Sequence, residues 1–180
     1  MPDLFPTSQK SFSFISPSRE KYQLIPFENA WADQLISWIH SKKDLLFWSG
    51  KTFEQGFSRS LFERHLKRKN LYSFSLLNKD KHLLAYGEIV RTGLQSCTLC
   101  RVMVHPDRRG EGIGKIFCKL VMQWASEEMA FKKMHLNVLG CNKSAIRCYR
   151  SVGFTITMVK RNARVVDQDT HDLFYMATSL

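Results

Sequence analysis

The chain has no run of about 18 apolar residues, so no helical membrane span is read in it. Its first residues, MPDLFPTSQKSFSF, lack a basic stretch followed by an apolar one, and a cytoplasmic location is expected. Carboxylates are few: 16 Asp and Glu stand against 27 Lys and Arg, for a net charge of +11. That balance argues against a polycationic substrate and for an acidic or neutral one. Cysteines are five, an odd number spread through segments that read as regular structure, which suits reduced thiols rather than a disulfide framework. Cys97 and Cys100 have Cys-x-x-Cys spacing, but no second pair follows, and on a strand they face opposite ways; no metal is expected. Repeats, linkers and composition-biased tracts are also lacking.

What remains is ordinary globular material: 180 residues, 44% hydrophobic and 24% charged, enough for a single domain. The densest basic run, Arg64 to Lys69, lies beside Leu61, Phe62 and Leu66 at helical spacing. It reads as a helix with one solvated cationic face, and neither nucleic acid nor membrane is expected as a partner. Residues 1–20 read as a polar leader and 21–180 as the domain. Lys21 to Phe27 suits a strand, and Asn29 is placed to cap a helix whose Trp31, Leu35, Trp38 and Ile39 share a face. A second helix is expected over Phe57 to Lys69. Leu71–Leu77 and His82–Val90 form a hairpin around NKDK, and Thr98–Val104 a third strand. Ile116, Phe117, Leu120, Val121 and Trp124 mark an amphipathic helix ending near Glu128, and Met134–Leu139 an apolar strand. Asn142 caps another helix that Gly153 closes, and strands at Phe154–Asn162 and Thr170–Ala177 finish the chain. The order is strand, two helices, three strands, helix, strand, helix, two strands, which is mixed α/β with a partly antiparallel sheet.

The chemistry concentrates in VMVHPDRRGEGIGK, Val102 to Lys115. A glycine-rich turn opening a helix directs backbone N–H groups and the positive end of the helix dipole at one spot, which suits phosphate. It is not a dinucleotide fingerprint: Gly110, Gly112 and Gly114 give G-x-G-x-G, and five residues separate them from the strand. Nor is it a Walker loop, because three residues lie between Gly110 and Gly114 and Ile116 follows Lys115. Arg109-Gly110-Glu111-Gly112-Ile113-Gly114 does match (Q/R)-x-x-G-x-(G/A). A strand ending V-x-V-x-P precedes it, an amphipathic helix follows, and Asn142, Ala145, Tyr149, Gly153 and Phe154 supply N-x-x-A-x-x-x-Y-x-x-x-G-F. With these motifs in this order the chain resembles the GCN5-related N-acetyltransferase (GNAT) family.

The resemblance implies a GNAT fold, a central mixed, mostly antiparallel sheet of about six to seven strands flanked by about four helices. It implies acetyl-CoA as cosubstrate, with the pyrophosphate on Arg109 to Lys115 and the pantetheine arm paired to the exposed backbone of Val102, Met103 and Val104. Glu111 is expected to turn its side chain to solvent and offer only its N–H, and Asn142 to bond the cofactor arm. Tyr149 stands where the family protonates the departing thiolate. In the branch that acetylates ribosomal-protein N-termini a glutamate sits where this chain has Asn137, so Glu88, on the strand beside the loop-bearing one, becomes the candidate base acting through water. Read from the sequence alone, Glu88 is otherwise an exposed strand residue paired with Arg101. Trp31, Trp38, Phe47, Trp48, Phe53 and Phe57 are expected to frame the acceptor site, about half of them as core. The implied activity is direct N-acetylation of a primary amine on an unidentified small molecule, peptide or protein, by a monomer or homodimer. The alternative is an inactive coenzyme-binding module that uses its basic surface to associate with RNA or ribosomes.

Overall fold

A computed structural model describes residues 12–16, 20–166 and 168–180. Eight strands form one sheet in the order β1-β2-β3-β4-β5-β6-β8-β7. They are β1 (Phe12–Ile15), β2 (Lys21–Pro26), β3 (Leu71–Asn78), β4 (Leu83–Arg91), β5 (Ser96–Val104), β6 (Lys133–Leu139), β7 (Thr155–Val166) and β8 (Asp169–Ser179). Five helices accompany them: α1 (Ala32–Ser37), α2 (Lys42–Ser49), α3 (Arg59–Leu66), α4 (Ile113–Glu127) and α5 (Lys143–Ser151). All neighbouring strands are antiparallel except β5 and β6. A parallel pair needs a long crossover, and α4 supplies it.

The count exceeds the expected six to seven strands and four helices, for identifiable reasons. Part of the leader is strand: Phe12 to Ile15 pair with β2 from Phe12↔Leu24 to Ile15↔Lys21, while residues 1–11 and 17–19 lie outside the described residues. The helix expected after Asn29 is shorter and starts differently: Asn29–Trp31 is a 3₁₀ turn and Asn29 caps nothing. The extra helix, α2, starts at Ser41, whose side chain accepts the Asp44 amide and donates to the Asp44 carboxylate. It has only eight residues and no strong apolar stripe.

Two apolar layers sandwich the sheet. On one face Phe117, Leu120, Val121 and Trp124 of α4 and Ile146 of α5 pack on Tyr22, Leu24, Tyr72, Phe74 and Leu76. On the other, Leu35, Trp38, Trp48, Phe53 and Phe62 from the early helices and their connections cover Leu77, Leu83, Tyr86 and Met103. Gly87 keeps the sheet close to α4, since a Cβ there would lie 2.6 Å from the Phe117 ring.

Candidate active site

Two irregularities in the sheet create the site. The parallel ladder of β5 and β6 has three rungs, Ser96↔Lys133, Cys97↔Met134 and Thr98↔His135, and then stops. Beyond it the strands diverge, so Leu99 to Val104 have no β6 partner, as expected for Val102, Met103 and Val104. The second irregularity is a bulge in the β4–β5 ladder. Tyr86 pairs with Met103 and Glu88 with Cys100, so Arg101 and Val102 oppose the single Gly87. Arg101 takes a left-handed φ of 49° there, a conformation unfavourable for a residue with a Cβ.

A cavity of about 330 Å³ fills the divergence. Thr98 to Val102 form one wall and Asn137 to Leu139 the other, with Asn142, Ala145 and Tyr149 of the α5 segment at one side and Phe47 to Thr52 at another. Arg164 and Leu173 reach it from the β7–β8 hairpin, where Arg161 to Ala163 bulge out opposite Asp172. Asp172 secures that bulge by accepting from the Arg161 guanidinium and the Asn162 amide.

The α5 segment brings two of the sequence candidates to this cavity. Asn142 caps the helix, accepting the Ala145 amide (3.2 Å) and the Ser144 hydroxyl (3.1 Å), and its side-chain nitrogen bonds no group among the described residues. The Tyr149 ring packs edge-on against Phe154. Its hydroxyl bonds no protein group among the described residues, and burial, with Cys118, Cys148 and Cys100 adding to it, pushes the phenol well above its ordinary range. It therefore carries its proton at neutral pH.

The glycine turn lies at the N-terminus of α4. Gly110 and Gly112 have φ of 88° and 81°, and nothing lies within 4 Å of where a Cβ would stand on either. They are glycines for the backbone path, on an open face. Gly114 differs: a Cβ there would meet Cys148 Sγ at 3.3 Å and Val104 at 3.5 Å, so it serves the contact of α4 with α5 and β5. The first backbone bonds of the helix run from Lys115 and Ile116 to the Gly112 carbonyl. The amides of 112–114 thus belong to the unbonded donors of the helix start among the described residues, and 110 and 111 lead into it. Glu111 is exposed and paired with Arg108 at 2.7 Å, which neutralises the one anion in the turn. Ile113 is buried beneath it. Arg109, exposed, donates to the Val104 carbonyl, and Lys115 is exposed. This donor set fits a diphosphate.

Glu88 is paired with Arg101, as one sequence reading expected, but its surroundings depart from both readings. It is fully buried rather than exposed, and it is absent from the cavity wall. One carboxylate oxygen accepts the Tyr86 hydroxyl at 2.7 Å; the other accepts His65 Nε2 at 2.9 Å and Arg101 Nε at 2.6 Å. Burial alone would raise this carboxyl, but the hydrogen bonds from His65 and Arg101 and the guanidinium charge outweigh it and hold the carboxyl below the usual glutamate range. The carboxylate is thus sealed off the cavity wall by three donors, and not placed on it where a water-linked base was expected. What it does is hold Arg101, whose guanidinium also reaches Thr52 Oγ1 and whose carbonyl accepts the Trp48 indole N–H at 2.7 Å.

Several residues here escaped the sequence reading. His65 lies in the basic run, yet it is buried; its place three residues after Phe62 and four after Leu61, on the apolar stripe of α3, was the available signal. Arg164 had none, because only the hairpin bulge brings it to the cavity. Of the six aromatic residues expected at the acceptor site, Trp38, Trp48 and Phe53 are buried, and Phe47 and Trp48 line the cavity. Cys97 is fully buried and Cys100 lines the cavity. Among the described residues no three His, Cys, Asp or Glu side chains gather as metal ligands, and no helix is long and apolar enough to cross a membrane.

Comparison with known proteins places this architecture. Residues 30–154 match the family model of the GNAT acetyltransferases. Over 132 residues, 72% of this chain and 79% of the relative, the sequence is 30% identical to the ribosomal protein bS18 alanine N-acetyltransferase of Salmonella typhimurium. The Escherichia coli K12 protein of the same name is 29% identical over the same length. The spermidine N-acetyltransferase of Vibrio cholerae, solved with CoA and spermine, superposes with a TM-score of 0.77 over 88% of this chain and 95% of that one. At 15% identity that likeness is one of fold.

Proposed function

Because the chain belongs to the GNAT family of acetyltransferases, we propose that it transfers the acetyl group of acetyl-CoA directly to a primary amine, with Tyr149 protonating the departing sulfur. The observation that carries this reading is the cavity between diverging β5 and β6, with a protonated phenol on its wall that is unbonded among the described residues. Acetyl-CoA, when bound, supplies an activated acetyl group and a thiol leaving group. The amides of the turn at 110–114, with Arg109 and Lys115, hold the diphosphate. Val102 to Val104 offer their unpaired edge to the pantetheine arm as an added strand would, and Asn142 bonds it from across the cavity. The bulge at Arg101 and Val102 turns backbone polar groups out of the β4 ladder toward the acyl group. As the amine nitrogen bonds the acyl carbon and the carbon–sulfur bond breaks, Tyr149 gives its proton to sulfur. The proton lost by the amine passes to solvent, from which the phenol is restored.

Release of free thiol from acetyl-CoA, measured across a panel of amines, tests this. Turnover should appear with at least one amine, and Tyr149→Phe should lower kcat by about 10²-fold, the usual worth of a placed proton donor, while coenzyme affinity holds. Unchanged kcat in that variant removes the phenol from the chemistry. No carboxylate lines the cavity among the described residues, and this favours one alternative, an inactive coenzyme-binding module. That alternative stands if coenzyme binds and no amine is ever acetylated.

A further inference from the structure

Resting on the transferase reading, we propose that the acceptor is the weakly basic α-amine of a peptide whose end carries its own anionic group, and not a polyamine. The walls of the cavity carry the argument. They include three cations, Lys51, Arg101 and Arg164, and among the described residues no Asp or Glu. Arg101 is neutralised by Glu88, at 2.5 Å behind it. Among the described residues Lys51 and Arg164 have no carboxylate partner, and Arg164 donates to the Ala163 carbonyl. The carboxylate nearest in sequence to the hairpin wall, Asp172, is already taken by Arg161 and the Asn162 amide. Two positive charges on different elements therefore border the space unanswered, and an anionic group on the acceptor answers them as an additional ammonium cannot.

The same field solves the problem left by the sealed Glu88. An attacking amine must be neutral, and a carboxylate base is one way to make it so. A like charge nearby is another, because it disfavours the protonated form. Lys51 and Arg164 act in that sense, while Arg101 is offset by Glu88 and the other titratable groups on the walls, Cys100 and Tyr149, are uncharged at neutral pH because burial raises both. The effect is sufficient only for an amine that starts weakly basic. The α-amine of a peptide titrates at about 8 and an alkyl ammonium at about 10.4, so near pH 7.5 the neutral fraction differs by roughly two orders of magnitude. Asn137, on the β6 wall, stands where a base would otherwise be useful and can only donate and accept hydrogen bonds.

The test is a kcat/KM comparison on the full chain with the dipeptides Ala-Asp and Ala-Lys and with spermidine. Ala-Asp should exceed Ala-Lys by at least about tenfold and spermidine by about 10²-fold at pH 7.5, the second ratio shrinking as pH rises toward 10. Arg164→Gln, and independently Lys51→Gln, should raise KM for the acidic acceptor and bring the Ala-Asp to Ala-Lys ratio toward one. A preference for spermidine or Ala-Lys, or an unchanged ratio in both variants, overturns the proposal and leaves the transferase reading intact. Absence of thiol release with every acceptor overturns the transferase reading and this one with it.

Discussion

Glu88 shows how one side chain can set a backbone. Its carboxylate is shared by Tyr86, His65 and Arg101, and through Arg101 it secures a left-handed residue in the middle of a strand. Removing one member of a buried ion pair costs about 3–5 kcal/mol, because the partner is left charged and unmatched. Glu88→Ala should therefore lower Tm by roughly 10 °C, at about 2–4 °C per kcal/mol for a domain of this size, as read by calorimetry. The pH dependence has a definite sign. The folded carboxyl titrates below its unfolded value, so its contribution is complete above about pH 4.3, the unfolded glutamate value, and is lost as pH falls through the folded one. Glu88→Gln should flatten the acid limb of the stability curve; an unaltered limb would show that the carboxylate is not held as described.

At the scale of elements, the start of α4 is the part most exposed to a single change. Gly112 precedes the first helical residue with a φ of 81°, and its surroundings are empty, so Ala fits in space but not in conformation. The left-handed conformation costs a non-glycine residue about 1–2 kcal/mol, and relaxing it swings the amides away from their common target. Gly112→Ala should weaken coenzyme A binding by about tenfold or more in a calorimetric titration, and equal affinity would exclude the turn as the diphosphate site.

This element was legible beforehand because the glycine spacing and the long apolar stripe of α4 are local. The same holds for β6 and for the Asn142 cap of α5. Helix α2 was not, since eight residues with a weak stripe give periodicity little to register, and its Ser41–Asp44 cap was the only mark. Strand β1 looked like leader because its partner, β2, supplies the order its own sequence lacks. The Glu88–Arg101 pairing was readable from the hairpin register, but its depth depends on α3 closing over it with His65, which no spacing along the chain encodes.

At the scale of the whole molecule, the sheet is continuous in order yet weakly joined in the middle, with three rungs between β5 and β6. A ligand lying in the divergence contacts both halves, and binding to the folded state alone stabilises by about 2.7 kcal/mol at a concentration of 100 Kd. Saturating coenzyme A should raise Tm by roughly 5–10 °C and slow amide exchange in 99–104 and 136–139 in particular. Protection spread evenly over the sheet would argue that the ligand sits elsewhere.

The short seam has a consequence for the life of the protein in a cell. If opening begins where the ladder ends, the acyl donor is also the mortar of the fold, and a chain deprived of it presents frayed strands to proteases more often than a loaded one. Abundance of the protein would then follow the supply of its own cosubstrate, with no dedicated sensor.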